Sequence, residues 1–393
     1  MKNLWLYEEA KSFKSDLELR VYTSNLLGKS DALVLHGGGN TSVKTLINGE
    51  EILLVKGSGW DLVSIKSEGF APVKMQTLLE MAQLQELSDS DMVAGQKAAM
   101  TDKSAPNPSV EAILHALIPY KFVDHTHADA VVTISNSACG MENIKKVFPN
   151  FLIVPYVMPG FILARTIYEM TQGLNWNTID GIILHNHGIF TFDNDTKKSY
   201  DKMIEAVTHA EDFLEENAKV ELNFPHAKTK EFDVEKLQQL LSKEKGYEVF
   251  IKENKSDLAK TYASKENLKE FATRGVLTPE HIIRTKRIPL ILEDENIEEA
   301  IENYKIEYEN YFKKFAKNEI CLNSAPNYIV IKNYGVLACA NSEQEANIIN
   351  DIVEHTMMAV LRADKLGGYK SISLKDSFEM EYWELEQAKL KKL

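Results

Sequence analysis

Two short segments that place histidines at the ends of apolar runs constrain this chain most. His125 and His127 lie in FVDHTHADAVV, and His187 lies in GIILHNHGIFTF. Side chains alternate along a strand, so a His-x-His pair on a strand directs both rings to one face. A third imidazole from another strand would complete a metal site that keeps a position open for substrate, which is typical of catalytic sites. A single strand-end histidine is more often a packed residue, so the metal interpretation requires both segments to converge.

Length, charge and cysteine usage limit the class of protein. A chain of 393 residues is too long to fold around a single hydrophobic core of average size, so we predict two lobes. The net charge of −13 disfavours nucleic-acid and anionic-membrane partners. Three widely spaced cysteines without a C-x-x-C motif suit a reducing compartment. The acidic N-terminus lacks a signal-peptide core and no apolar run reaches membrane-span length, so we expect a soluble cytoplasmic protein.

Hydrophobic periodicity predicts an α/β fold, with strands and helices alternating in the first half of the chain. The predicted strands lie in ALVLHGGGNTSVKT, EEILLVKGSGWDL, KFVDHTH, FLIVPYV and DGIILHNHGIFTF, the first two each containing strand, glycine turn and strand. The predicted helices cover 17–27, 73–87, 109–117 and 162–171, together with ADAVVTISNSA and NDTKKSYDKMIEAVTHAEDFLEENAKVE. We predict a first domain over 1–226, a polar linker or surface helix over 227–245, and a second, smaller α/β lobe over 246–393.

The second lobe contains an echo of the His187 segment. IVIKNYGVLACANSEQEANIINDIVEHTMMAVLRAD aligns without a gap on IILHNHGIFTFDNDTKKSYDKMIEAVTHAEDFLEEN, which matches Gly335 to Gly188. Tyr334 then stands in the place of His187, so this copy lacks the imidazole. Chance similarity is the alternative, because repeats usually become convincing only over several copies. If the echo is real, the second lobe is a degenerate, metal-free relative of the first.

Five ordered motifs resemble a known family. They are GGGNTSVK, KGSGWDL, NPSVEAILHALIP, VDHTHADAVV and LHNHGIFTF, and over 24–217 they resemble the class II aldolase/adducin superfamily. The chain looks most like the aldolase part of bifunctional rhamnulose-1-phosphate aldolase/lactaldehyde dehydrogenase proteins, as do TPEHIIRTKRIPLI and FEMEYWELEQAKL. The sequence ends at Leu393 just after this region, so we expect no dehydrogenase part. The resemblance implies α/β/α layers around a central, mostly antiparallel sheet, and a homo-oligomer.

The resemblance also implies the residues of the active site. The family's metal ligands correspond to His125, His127 and His187, and its catalytic acid/base corresponds to Glu111. The residues themselves leave the role of Glu111 open. A carboxylate in the first turn of a helix could reach the metal, although a glutamate there is more often a capping or dipole partner. His115, one turn later, either orients this carboxylate or simply packs.

Two glycine-rich turns, GGGNTS and KGSG, are candidates for anion binding. Their backbone N–H groups and hydroxyls could hold a phosphate, although a plain turn between strands is the alternative. In the family the phosphate is held by residues that correspond to Asn40, Ser58, Gly59 and Ser109. Val110 replaces a serine of the family pattern, so one hydroxyl is absent. Lys44 and Lys56 flank the turns and either supply charge or are solvated surface residues.

These features together predict a metal-dependent aldolase, a carbon–carbon lyase. It would cleave or form a short-chain ketose 1-phosphate, giving a three-carbon ketone phosphate and a small aldehyde through a metal-stabilised enediolate. Zinc is the first choice for an all-imidazole site, with nickel, cobalt, iron and manganese also suitable. The glycine turns do not form G-x-G-x-x-G at a strand-to-helix turn, so no nucleotide cofactor is expected.

Three alternatives to an aldolase remain. The resemblance implies that the same scaffold also supports 4-epimerisation of pentulose phosphates and dehydration of a sugar phosphate. A non-catalytic, adducin-like interaction module is the alternative of another class. Such a module would be expected to have lost its metal ligands, so the three histidines and Glu111 count against it.

Overall fold

The computed structural model describes residues 1–222, 224, 231–293 and 296–390. These residues form two compact units. The first unit comprises Met1–Ser135 and Met141–Phe213, and the second comprises Asn136–Gly140 and Leu214–Leu393. The predicted first-domain limit at residue 226 and the start of the predicted linker, 227–230, lie outside the described residues. In the part of the chain that is described, no helix is both long and apolar enough to cross a membrane.

The first unit alternates helices with seven strands. Its strands are β1 Asn40–Ile47, β2 Glu50–Lys56, β3 Phe70–Lys74, β4 Phe122–Thr126, β5 Phe151–Val154, β6 Gly181–Leu184 and β7 Gly188–Asp193. Its helices are α1 Tyr7–Ala10, α2 Asp16–Gly28, α3 Met75–Gln83, α4 Asp89–Ala98, α5 Ala112–Leu117, α6 Asp129–Ser135, α7 Gly140–Val147, α8 Phe161–Met170 and α9 Thr196–Asn217. The first residue of α7 and the last four residues of α9 belong to the second unit. The long helix α9 begins where Asp195 Oδ1 accepts a hydrogen bond from the backbone N–H of Lys198 at 2.9 Å, as its predicted capping residues require.

The seven strands form one sheet in the order β3-β2-β1-β4-β7-β6-β5. Every neighbouring pair is antiparallel except β5 and β6. The predicted central, mostly antiparallel sheet is therefore confirmed. β4 lies at its centre, paired with β1 on one side and on the other with β7, the strand that directly follows His187.

Successive residues of β4 show that helices cover both faces of this sheet. Val123 packs in a core with Leu114 of α5. Asp124, which points to the opposite face, forms a fully buried ion pair with Arg20 of α2 and accepts a hydrogen bond from Ser199 of α9. Removing one partner of such a pair costs about 3–5 kcal/mol, because the other charge stays buried. The predicted α/β/α layering is confirmed.

Three local predictions in this unit are wrong. The apolar run at 32–35 forms hydrogen-bonded turns rather than a strand, because the N–H groups of Leu33 and Val34 both donate to the carbonyl of Ser30. The segment after KGSG also turns instead of forming a strand. The helix predicted over 73–87 is shorter, since Val73 belongs to β3 and the helix α3 begins at Met75. A run of four apolar residues can be buried in a turn as well as in a strand, and hydrophobic periodicity over so few residues does not distinguish the two.

The second unit contains a four-stranded sheet in the order β8-β11-β10-β9. Its strands are β8 Phe250–Asn254, β9 Leu290–Leu292, β10 Tyr328–Ile331 and β11 Gly335–Ala340. Its helices are α10 Val234–Lys245, α11 Asp257–Ala263, α12 Leu268–Ala272, α13 Ile282–Thr285, α14 Ile297–Phe315, α15 Glu343–Lys365, α16 Leu374–Glu381 and α17 Glu384–Leu390. One core cluster of this unit joins α10, α14 and the sheet.

This smaller sheet repeats half of the larger one. The order β8-β11-β10-β9 matches β4-β7-β6-β5, including one parallel pair in each. The hairpins agree in register, since Leu184 pairs with Gly188 in one and Ile331 with Gly335 in the other. The turn residues Asn186 and Asn333 both adopt left-handed backbone angles, with φ of 60° and 58°. The predicted echo is therefore a repeat of strand order and register.

Candidate metal centre and active site

The central strand β4 presents His125 on the face that bears Val123. His125 is completely buried and pairs in the ladders with Asn40 of β1 and Phe190 of β7. Its ring stacks on that of Phe190 with centroids 4.0 Å apart, and its Nδ1 lies 3.0 Å from the carbonyl oxygen of Ile189. A carbonyl only accepts hydrogen bonds, so Nδ1 carries the proton. The other nitrogen, Nε2, is then the one that can bind a metal ion.

His127 and His187 complete a cluster of three imidazoles around His125. His127 follows the end of β4 by one residue, and His187 lies in the turn between β6 and β7. One possible ligand nitrogen from each ring can be chosen so that all three lie within 4.8 Å of one another. The Nε2 atoms of His125 and His127 are 3.0 Å apart. The structure thus brings the two histidine segments together, and this donor set fits a divalent transition-metal ion.

Gly188 makes the approach of these rings possible. A Cβ atom at this position would lie 2.4 Å from the carbonyl oxygen of Thr126, 3.0 Å from Cε1 of His125 and 3.2 Å from Cδ2 of His127. No real side chain tolerates the first of these distances. The glycine after His187 is therefore required by the close passage of the turn over the end of β4.

We expect Gly188→Ala to lower the free energy of unfolding by about 1–3 kcal/mol and to weaken metal binding, because the turn must move away from β4. Thermal unfolding and metal content by elemental analysis measure the two effects. Gly95→Ala is the control, since Gly95 lies in helix α4 and its added Cβ would meet only the flexible end of Met81. Unchanged metal binding and stability in Gly188→Ala would contradict this view of the turn.

Glu111 faces the three imidazoles from the start of α5. It occupies the N-cap position of this helix, but its side chain makes no capping hydrogen bond. Its Oε2 accepts a hydrogen bond from Asn40 Nδ2 at 2.6 Å and lies 3.5 Å from His125 Nε2. Its Oε1 lies 3.8 Å from His187 Nε2 and is buried without a hydrogen-bond partner among the described residues. A buried carboxylate oxygen beside three imidazoles fits a site that binds a cation and moves a proton.

Three of the four predicted phosphate residues, Ser58, Gly59 and Ser109, lie in two segments that run side by side, and Asn40 lies on β1. The N–H of Ser58 donates to the carbonyl of Asn107, and the N–H of Ser109 donates to that of Lys56. Those two amides are therefore already used, so at Ser58 and Ser109 the hydroxyls are the groups that could meet an anion. Gly59 has φ of 89° and open space where a side chain would be. Phosphate binding by Asn40, Ser58, Gly59 and Ser109 stays a prediction.

Lys44 does not supply charge at the glycine turn. Its Nζ donates to the carbonyl oxygens of His115, Ile118 and Tyr120, at 2.9, 2.6 and 2.7 Å. The lysine thus satisfies carbonyls at and beyond the end of α5, the helix that carries Glu111 at its start. The spacing in the sequence gives no sign of this contact, because the partners lie more than seventy residues away, as with His115 at a separation of 71.

The repeat in the second unit shows what replaces the imidazoles there. Glu253 of β8 pairs with Leu337 of β11, just as His125 pairs with Phe190. Leu337 and Phe190 each follow their hairpin glycine by two residues. Glu253 therefore stands in the place of His125, and Tyr334 stands in the place of His187.

Lys255, two residues after Glu253, takes the place of His127. Its Nζ lies 3.0 Å from Glu253 Oε1 and 4.1 Å from the centroid of the Tyr334 ring. The hydroxyl of Tyr334 donates to the carboxylate of Glu253. These three side chains satisfy one another with a charge of each sign, so this part of the second unit offers no counterpart of the imidazole cluster.

Known protein families match the sequences of both units. The family model for the class II aldolase and adducin N-terminal domain matches residues 19–214, and the model for the second domain of class II aldolases matches residues 229–390. The N-terminal class II aldolase domain of a conserved Thermoplasma acidophilum protein is 41% identical, with a TM-score of 0.51, over 55% of this chain and 99% of that one. An uncharacterized oxidoreductase of Bacillus subtilis (strain 168), YuxG, is 29% identical over 420 residues, covering 99% of this chain. The chain spans 60% of the length of that relative.

Proposed function

Because this chain belongs to the class II aldolase and adducin family, we propose that it is a metal-dependent aldolase acting on a short-chain ketose 1-phosphate. The observation that carries the proposal is the cluster of His125, His127 and His187 with the carboxylate of Glu111 directed at it. A non-catalytic member of the family would have no need to keep a buried carboxylate oxygen unsatisfied beside three imidazoles. The products would be a three-carbon ketone phosphate and a small aldehyde.

The three imidazoles would hold one divalent ion, and zinc is the ion we propose. When bound, this ion supplies Lewis acidity, which lowers the energy of negative charge next to a carbonyl group. The hydrogen bond from His125 Nδ1 to the carbonyl of Ile189 fixes this ring with Nε2 as the ligand atom. No described imidazole of the second unit stands at the equivalent positions, so we expect one ion per chain.

Glu111 would carry the proton. Its Oε2 is held by Asn40, which leaves Oε1 as the oxygen that exchanges a proton with the carbon beside the carbonyl. In the direction of condensation, Glu111 would remove the proton from the three-carbon ketone phosphate. In cleavage it would return the proton to the same carbon.

Several finer features of the proposal come from the sequence resemblance. A substrate of the rhamnulose 1-phosphate type would place its phosphate near Asn40, Ser58, Gly59 and Ser109. We also propose a homo-oligomer. A cytoplasmic location is supported by the three cysteines, all of which are free thiols in the structure.

The test is incubation of the metal-loaded protein with a panel of ketose 1-phosphates and pentulose 5-phosphates. We expect release of a three-carbon ketone phosphate, loss of this activity after chelation, and recovery when zinc is restored. Products are followed by coupled assay and by NMR, so epimers and dehydrated sugars are detected in the same samples. Formation of an epimer without release of a triose phosphate would show that the protein is an epimerase and not an aldolase. Absence of a stoichiometric metal ion would favour the adducin-like module.

A further inference from the structure

A line of buried polar side chains connects the first strand of the sheet to the carboxylate of Glu111. Ser42 Oγ lies 2.8 Å from His115 Nδ1, and His115 Nε2 is hydrogen-bonded to Asn40 Oδ1. Asn40 Nδ2 then donates to Glu111 Oε2 at 2.6 Å. Ser42 and His115 are completely buried, and Asn40 and Glu111 are 6% and 7% exposed. None of these hydrogen bonds is therefore exposed to bulk water.

The chemistry of each group fixes the direction of this chain of hydrogen bonds. A carboxylate only accepts, so the amide nitrogen of Asn40 must face Glu111. The amide oxygen then faces His115, which requires the proton of that ring to be on Nε2. Burial lowers the pKa of His115 well below its usual value, so the ring is neutral and Nδ1 is an acceptor. Ser42 must therefore donate to Nδ1.

We propose that His115 is a positioning residue for the reaction, which fixes the amide of Asn40 so that its N–H group, and not its oxygen, faces Glu111. Without the Nε2–H donor, the amide can turn and present its oxygen to the carboxylate. Two acceptors would then face each other, and Glu111 would lose the contact that directs Oε1 at the imidazoles. This inference rests on the proposed proton-carrying role of Glu111.

The strand pairing explains why this arrangement is rigid. Asn40 and Ser42 are two residues apart on β1, so their side chains share one face, and Asn40 pairs in the ladder with His125. His115 lies one turn after Glu111 on α5 and also contacts the ring of Phe190, with centroids 5.4 Å apart. Strand and helix thus hold the two ends of the chain of hydrogen bonds. The same Phe190 ring stacks on His125, which ties this network to the metal ligands.

The decisive activity experiment compares His115→Phe with His115→Gln in the zinc-loaded protein. The phenylalanine ring fills the space but has no donor, and we expect kcat to fall roughly 10- to 100-fold with little change in KM or in metal content. Glutamine places an N–H group near the position of Nε2 and is expected to restore most of the rate. His209→Phe, at an exposed histidine of α9, is the matched control. Equal losses in the phenylalanine and glutamine variants would overturn the proposal.

A double variant separates positioning from a general effect on folding. If His115 acts through Asn40, then His115→Phe should cause no further loss in an Asn40→Ala background. If the fold-losses of kcat from the two single variants instead multiply in the double variant, His115 acts by another route and the proposal is wrong. Thermal unfolding of each variant shows whether the chain remains folded.

A measurement without turnover keeps this inference separate from the proposed function. Nitrogen-15 NMR of histidine-labelled protein, with the His115 signals assigned by their loss in His115→Gln, reports which ring nitrogen carries the proton. We expect the neutral form protonated at Nε2 at pH 7, in the unmodified protein and with zinc bound. Protonation at Nδ1 would overturn the proposal even if the aldolase assay succeeded. If His115 is protonated at Nε2 but the protein turns over none of the tested sugar phosphates, the proposed function is wrong and the tautomer inference stands.

Discussion

His187→Ala is expected to remove measurable turnover and to weaken metal binding by more than about 100-fold. Mutation of a residue that only hydrogen-bonds a metal ligand already lowers metal affinity or activity roughly 10- to 100-fold. Loss of a ligand itself should lower metal affinity by more than that. His187 is 5% exposed and lies in a turn that is fixed by Asn186 and Gly188. The alanine variant should therefore keep its backbone while losing one of three donors. Metal content after dialysis and titration calorimetry with zinc measure the loss.

The repeat supplies the matched control for this experiment. Tyr334 occupies the place of His187 in the second unit, and it is buried to a similar degree at 3% exposure. Tyr334→Ala should disturb packing with Glu253 and Lys255 but leave zinc binding unchanged. Zinc binding as tight in His187→Ala as in the unmodified protein would show that the three imidazoles do not share an ion.

Periodicity and spacing predicted the elements that carry the site. The alternation in FVDHTH placed His125 on a strand, and the H-x-H-G corner placed His187 between two strands, because polar turns interrupt apolar runs there. Local capping chemistry predicted the start of α9. These signals depend on a few neighbouring residues, so a single sequence contains them.

Contacts between distant segments were less accessible to prediction. The sequence left His115 either orienting the carboxylate of Glu111 or simply packing, whereas the structure places Asn40 between the two side chains. It left Lys44 as either a charge at the glycine turn or a solvated surface residue, whereas strand pairing directs it to the end of α5. Both outcomes depend on which residues of β1 face the helix, and that register is set by the long-range pairing of β1 with β4.

In the repeat, too, local sequence predicted some features, whereas others became visible only through long-range strand pairing. The hairpin and helix of the second unit could be aligned without gaps, because Gly335 and Asn333 preserve the backbone of the turn. Glu253 and Lys255 could not be matched to the His-x-His pair from sequence, since only the pairing of β8 with β11 places them there. A fold can thus keep strand order and register after the chemistry of its site has changed.

Glu111→Gln is expected to retain zinc at one ion per chain while kcat falls about 100- to 10,000-fold. The amide is nearly the same size as the carboxylate, and the three imidazoles that would hold the ion are unchanged. What the variant lacks is an oxygen that can accept and return a proton. Glu169→Gln, at an exposed glutamate of α8, is the matched control and should behave like the unmodified protein.

Exchange of hydrogen for deuterium isolates the step assigned to Glu111. With the three-carbon ketone phosphate alone in deuterated water, the unmodified protein should exchange one hydrogen beside the carbonyl, and Glu111→Gln should do so at least about 100 times more slowly. Loss of zinc from the glutamine variant would make Glu111 a metal ligand instead of a proton carrier. Full exchange with zinc retained would assign the proton to another group. Since Oε1 is the carboxylate oxygen left without a hydrogen-bond partner among the described residues, slow exchange with zinc in place is the result that its geometry requires.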